Sequence, residues 1–275
     1  MKYLFCIGAQ KAGTTYLYNL MKQHPALCSG KNKETYFFSK NHEYIRGLDS
    51  YKEQFPIESS TQYCIDFTPE YLISTKAVRR ISRHFGSDAR IIVLLRDPVK
   101  RAFSQYRMRV FVGREGRSFR KCVNAQFRRK RSSRHFVARG RYIEQLDTLF
   151  RYFDKEQVLL IKFEELVKDT EQVLARTYDF LGIEKIPVDT SVDTNPARNE
   201  RPAGFAMLFN NLPYTIRRRM VKKSRLLKKV LDNKKYKPTR RMELDHITRD
   251  KLSLYYKEYN QGLTEKYGID TSDWT

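Results

Sequence analysis

The stretch Gly8-Ala9-Gln10-Lys11-Ala12-Gly13-Thr14-Thr15 constrains this chain more than any other. It follows a short run at 2–8 rich in strand formers. It also opens a segment at 15–23 in which Leu17, Leu20 and Met21 recur at helical spacing. A strand, a glycine-bounded loop and a helix in immediate succession make a phosphate cradle. Successive backbone N–H groups and the positive end of the helix dipole face an anion, and glycine lets the backbone come close to it. The hydroxyls of Thr14 and Thr15 add hydrogen-bond donors.

The details of the loop limit the chemistry. A nucleoside-triphosphate enzyme carries lysine directly after the second glycine, where it reaches the terminal phosphates. Here that position is Thr14, and the lysine sits inside the loop as Lys11. A kinase acting on a small molecule would also need magnesium ligands near Asp97, which is followed at once by Pro98. It is therefore the weaker alternative. A lysine within the loop suits the bridging oxygen of a phosphosulfate, where it neutralises the charge that develops as a sulfuryl group leaves.

Apolar runs at 91–95 and 158–161 each follow a helical pattern, at 75–85 and 142–153. Strands alternating with helices predict a parallel α/β sheet. A further strand is expected at 64–67, ended by Thr68 and Pro69. Helices are expected at 98–112, 170–181 and 249–266, with Gly182 as a C-cap. Prolines and asparagines break any period across 188–213. The 275 residues, 40% of them hydrophobic, can bury one large core, so one globular domain spanning 1–275 is expected and a two-domain split is not required.

After the 91–95 run, Arg96-Asp97-Pro98 leads into a helix bearing Arg101 and Ser104. Taken alone, such a turn is an ordinary helix start with Pro at its first position. Placed after a core strand and facing the loop, Arg96 and Ser104 can grip one phosphate at the carboxyl edge of the sheet.

The net charge of +23 is concentrated in two places. Segment 114–141 has eleven Lys or Arg against Glu115 alone, and segment 214–241 has thirteen against Asp232 alone, leaving the rest near neutral. Two basic segments on a neutral body point to local surfaces for an anionic substrate, cofactor or membrane. A nucleic-acid-binding protein would interleave aromatic residues for base stacking, yet 114–141 offers only Phe119, Phe127 and Phe136. No specific nucleic-acid partner is expected. The amphipathic stretch 215–231, with Ile216, Met220, Val221, Leu227 and Leu231 among cations, is compatible with lying on anionic lipid. No stretch has the length of a membrane span and no export signal is recognisable. Cys6, Cys28, Cys64 and Cys122 are too scattered for a zinc site or a disulfide framework, which fits reduced thiols in a cytoplasmic enzyme.

Gln10-Lys11-Ala12-Gly13-Thr14-Thr15 together with Leu95-Arg96-Asp97-Pro98, then Arg101, Ser104 and Tyr106, resembles the sulfotransferases that use 3'-phosphoadenosine-5'-phosphosulfate (PAPS). The likeness is greatest to the branch containing the heparan sulfate glucosaminyl (N-/3-O-) sulfotransferases and their bacterial relatives. It continues through Lys33-Glu34-Thr35-Tyr36-Phe37-Phe38, Thr68-Pro69, 140–149, 163–166, Phe180-Leu181-Gly182 and Asp273-Trp274, with 188–231 least matched.

The resemblance implies a P-loop-type three-layer sandwich with a central parallel sheet flanked by helices. It implies that Lys11, Ala12, Gly13, Thr14 and Thr15 bind the 5'-phosphosulfate, and that Arg96 and Ser104 bind the 3'-phosphate. It implies Glu34 as catalytic base beside Lys11, a structural role for His24, no metal, and a carbohydrate or glycolipid acceptor of anionic character. A basic loop closing over the cofactor is matched by Lys234-Lys235-Tyr236-Lys237-Pro238, with Lys235 as the contact. One departure stands out. Heparan enzymes often carry lysine before the Thr/Ser-Pro pair, where this chain has Phe67 beside Asp66, so the acceptor need not be heparan.

Overall fold

The computed structural model describes residues 1–112, 114–128, 136–191 and 242–274. Five strands, β1 (Lys2–Gly8), β2 (Leu27–Ser29), β3 (Tyr63–Asp66), β4 (Ala89–Leu95) and β5 (Val158–Lys162), form one sheet in the order β2-β3-β1-β4-β5. Every pairing is parallel, for example Phe5 with Asp66 on one side of β1 and Phe5 with Ile91 on the other. The P-loop-type α/β architecture expected from sequence is the one observed.

The sheet is covered on both faces, as β4 shows most directly. Ile91, Ile92, Val93, Leu94 and Leu95 are consecutive and all fully buried. Neighbouring strand residues point to opposite faces, so only helices on both sides can bury all five. The first helices are α1 (Thr14–Met21), α2 (Asn41–Tyr44), α3 (Leu48–Lys52) and α4 (Thr75–Phe85). They are followed by α5 (Pro98–Phe111), α6 (Phe119–Arg128), α7 (Tyr142–Leu149), α8 (Phe163–Lys168) and α9 (Thr170–Leu181), and near the end of the chain by α10 (His246–Tyr259) and α11 (Leu263–Tyr267).

Local chemistry sets most of these boundaries. The Ser74 hydroxyl caps α4 by accepting from Ala77 N–H, and Asp169 caps α9 by accepting from Gln172 N–H. Gly182 ends α9 in the left-handed conformation, φ 66°, as its sequence position predicts. The helix expected over 142–153 stops at Leu149, and the one expected over 249–266 is two. Gly262, at φ 87°, separates α10 from α11, and α10 starts three residues earlier than expected because Asp245 caps it through Thr248 N–H. β2, α2 and α3 are too short to carry a readable period. Within 114–141 the described helix is α6, while the second basic segment, 214–241, and Lys235 lie outside the described residues.

Among the described residues two apolar clusters form the core. The larger surrounds the sheet, and the smaller joins α5, α6 and α10 around Val99, Tyr106, Phe119, Phe136 and Leu252. Among the described residues no helix is long and apolar enough to cross a membrane.

Candidate functional site

β1 and β4 are neighbours, yet the chain leaves them in opposite directions, from β1 toward β2 and from β4 toward β5. Their carboxyl ends form the switch point of the sheet, where an open parallel fold leaves a crevice for a ligand. The glycine-bounded loop lines the β1 side and Arg96 the β4 side. Ala9 N–H donates to the Leu94 carbonyl at 2.6 Å and Arg96 Nη1 donates to the Lys11 carbonyl at 3.1 Å. Segments far apart in sequence are thus stitched into one rim.

The loop turns on Lys11, at φ 73°, and Gly13, at φ 88°. Any side chain at Gly13 meets a neighbour as well as an unfavourable backbone, because a Cβ there would stand 2.7 Å from the Phe163 ring. Gly13 is also the N-cap of α1. It offers no side-chain cap, and the first turn holds no acidic residue. The amides of that turn are left to an anion. Thr14 is buried and Thr15 half-buried beside them. Ala12 is fully buried and its N–H donates to the Ala9 carbonyl at 3.1 Å, which shapes the loop.

Electrostatics single out the same place. Burial holds the Lys11 ammonium below its ordinary 10.5, reinforced by Arg96, Lys33 and Arg107, with Glu34 opposing. Arg96 is likewise depressed, first by burial, with Glu164 opposing. Its guanidinium lies over the Phe163 ring at 4.4 Å, its Nε is buried without a hydrogen-bond partner, and Tyr142 OH donates to its carbonyl at 2.7 Å. Cations gathered in a buried crevice are unfavourable until an anion joins them. The orphan Nε and the uncapped α1 fit phosphate groups. Ser104 is half-buried on the second turn of α5, and its hydroxyl bonds to none of the described residues.

Asp97 is committed elsewhere. Its Oδ1 accepts from Val99 N–H at 2.8 Å and Lys100 N–H at 3.1 Å, and its Oδ2 pairs with Lys100 Nζ at 3.2 Å. It caps α5. Among the described residues no group of three or more His, Cys, Asp or Glu side chains is arranged to hold a metal.

Glu34 stands on an irregular loop before α2. Phe37 and Phe38 anchor that loop in the core against Tyr51 and Phe5, with ring centroids 5.0 and 5.8 Å apart. The Glu34 carboxylate stays partly exposed, accepting from Lys33 Nζ at 3.3 Å and from the Tyr36 hydroxyl. Tyr36 has a left-handed backbone, φ 55°, and Lys40 Nζ sits 4.0 Å from its ring centre. Burial and then the bond to Glu34 hold its phenol above the ordinary range. The Lys33 carbonyl accepts from Phe67 N–H at 3.1 Å, which sets Glu34 beside the carboxyl end of β3, the strand next to β1.

His24 is buried away from this site, accepting from Ala26 N–H at Nδ1 (3.0 Å) and donating from Nε2 to the Glu184 carbonyl (2.9 Å). Phe67 is fully buried against the Tyr18 ring, with centroids 5.3 Å apart. The sequence reading did not single out Arg107, Tyr36, Phe163 or Glu164 as site neighbours. Only Gly13 hinted at Phe163, since a glycine signals close approach without saying of what.

A family model described as "Sulfotransferase domain" matches residues 2–258. Heparan sulfate glucosamine 3-O-sulfotransferase 3B1 of Mus musculus is 31% identical over 188 residues, covering 66% of this chain and 46% of its own. Heparan sulfate glucosamine 3-O-sulfotransferase 6 of Homo sapiens is 30% identical over 184 residues, covering 66% of this chain and 53% of its own. The chain thus spans about half the length of these curated relatives. Among solved structures, a sulfotransferase from Alicyclobacillus acidocaldarius aligns over 100% of this chain and 98% of its own with a TM-score of 0.74 at 24% identity, a likeness of fold. With the glycine-bounded loop and Arg96 joined at one switch point and a family model spanning nearly the whole sequence, the chain belongs to the sulfotransferase domain family.

Proposed function

We propose that the protein transfers a sulfuryl group from PAPS to a hydroxyl or amine of an anionic carbohydrate or glycoconjugate. The observation that carries this reading is the uncapped start of α1 with Arg96 bonded to the Lys11 carbonyl at 3.1 Å beside it, where burial and neighbouring cations hold the Lys11 ammonium below its ordinary range. PAPS supplies the activated sulfuryl group. Lys11, Gly13, Thr14 and Thr15 hold its 5' end, and Arg96 with Ser104 holds the 3'-phosphate. Glu34 accepts the proton of the attacking acceptor, and Lys11 with the loop amides holds the charge that builds on the leaving phosphate. Lys33 holds Glu34 in place through its 3.3 Å contact without being the base itself, and no metal takes part.

The buried Phe67 removes one cation from the acceptor side, which favours an acceptor less densely anionic than heparan. The chain reads as one domain over 1–275. The four free thiols of Cys6, Cys28, Cys64 and Cys122, all buried, fit a cytoplasmic setting. The basic segment 214–241 suits the acceptor or an anionic membrane face, and Lys235 suits the cofactor.

The test is to follow 3'-phosphoadenosine-5'-phosphate release from PAPS with heparan sulfate, chondroitin sulfate and an uncharged oligosaccharide as acceptors, using wild type and Glu34→Gln. Acceptor-dependent release that falls about 100-fold or more in Glu34→Gln is expected for a lost general base. Release untouched by Glu34→Gln would refute the base. Phosphoryl transfer from ATP in place of sulfuryl transfer would refute the activity.

A further inference from the structure

The loop bearing Glu34 has no regular secondary structure, so something other than a backbone ladder holds the carboxylate in place. Asp66, the last residue of β3, is fully buried and is satisfied by four hydroxyls rather than by an ion pair. Thr68 Oγ1 donates to Oδ1 at 2.6 Å. Thr35 Oγ1, Tyr71 OH and Tyr51 OH donate to Oδ2 at 2.8, 3.1 and 3.3 Å. Taking a carboxylate out of water is unfavourable even when it is well bonded, and an apolar side chain would fill the same space without that cost.

The donors show what the carboxylate holds together. Thr35 follows Glu34 directly, and its N–H donates to Thr68 Oγ1 at 3.0 Å while its hydroxyl reaches Asp66 and lies 2.8 Å from Tyr71 OH. On the other side of Glu34, the Lys33 carbonyl accepts from Phe67 N–H at 3.1 Å. Farther along, Phe37 N–H donates to Thr35 Oγ1 at 3.3 Å and Phe38 N–H to Tyr71 OH at 3.4 Å. The backbone on both sides of Glu34 is thus tied to residues 66–71, which continue the strand beside β1.

We propose that Asp66 is a positioning residue that, acting through Thr35 and Thr68, fixes the loop on which Glu34 meets the acceptor. This rests on the reading of Glu34 as the base. Asp66 touches no reacting atom. It fixes the distance between the base and the phosphate loop, and a misplacement of about 1 Å is enough to slow a positioned reaction about 100-fold.

Asp66→Asn is the direct change, but it leaves buried hydroxyls short of an acceptor and threatens folding. Thr35→Val breaks the link with Asp66 in place, and Thr35→Ser restores the hydroxyl. The experiment measures kcat and KM with PAPS and whichever of the three acceptors supports the fastest release in wild type, affinity for 3'-phosphoadenosine-5'-phosphate, and amide exchange over residues 33–38, alongside Glu34→Gln. The expected result is a kcat lower by roughly 10- to 100-fold in Thr35→Val. KM for PAPS and nucleotide affinity stay near wild type, loop exchange quickens, and Thr35→Ser recovers both the rate and the protection. If Thr35→Val keeps wild-type kcat and loop protection while Glu34→Gln is impaired, the positioning role is refuted and the base stands. If nucleotide affinity falls together with kcat, the network is general scaffolding and the proposal is overturned. A fully active Glu34→Gln removes the base and this inference with it.

Discussion

Replacing Arg96 with alanine separates its two tasks. In the structure its Nη1 bonds the Lys11 carbonyl at 3.1 Å, and in the proposed complex the rest of the guanidinium, including the buried unpartnered Nε, meets the 3'-phosphate. The first bond supports the loop whatever nucleotide is bound, so its loss weakens ADP and 3'-phosphoadenosine-5'-phosphate alike. The second acts only on the 3'-phosphorylated nucleotide. A hydrogen bond to a charged partner contributes about 1.5–3 kcal/mol. At about 1.4 kcal/mol per tenfold, the preference for the 3'-phosphorylated nucleotide over ADP falls roughly 10- to 150-fold in Arg96→Ala. Arg96→Lys keeps the charge but loses the planar fork and the contact with Phe163, and should fall between the two. Calorimetric titration of both nucleotides into the three proteins at one ionic strength reads the ratio directly. An equal loss for both nucleotides would confine Arg96 to supporting the loop. A wild type without preference over ADP would remove PAPS as the donor.

Two further outcomes follow from the same crevice. Since the fold holds Lys11 below 10.5, the unfolded chain binds more protons just beneath that value, so stability of the free protein rises with pH there. A bound phosphate restores the ammonium, so nucleotide binding at alkaline pH takes up protons. Titrations in buffers of different ionisation enthalpy reveal the uptake, Lys11→Met abolishes it, and proton release would contradict the assignment. Gly13→Ala combines a left-handed φ of 88° with a 2.7 Å approach to Phe163. These contribute about 1–2 kcal/mol of backbone strain and about 1–3 kcal/mol of overpacking, lowering Tm by roughly 5–15 °C. An unchanged midpoint in thermal unfolding would show that the ring yields freely.

The parts of the fold that were legible in sequence are those fixed by near neighbours. Strand β1 and helices α4 and α9 follow from runs, periods and caps a few residues apart, and α4 and α9 occupy the residues expected of them. Where the signal is a few residues long, as in β2, or where a glycine interrupts a continuous apolar pattern, as at Gly262, the period cannot decide. The Asp66 network was invisible for a different reason. Its donors Thr35, Tyr51, Thr68 and Tyr71 are ordinary residues scattered through two loops and a short helix, and no local rule links them.

Sequence alone determined that a strand, a glycine-bounded loop and a helix meet at a phosphate cradle, because those preferences are written in consecutive residues. It also pointed to Lys11 and Arg96 as candidate phosphate-binding side chains, and the family resemblance added Glu34. Tertiary structure alone decided that the loop and Arg96 share one rim. The order β3-β1-β4 sets the loop beside Arg96, Phe163 closes behind Gly13, and Asp66 gathers the hydroxyls that hold the Glu34 loop. Distances between residues remote in the chain come from how the sheet is wound and packed, and that is a property of the whole core rather than of any segment.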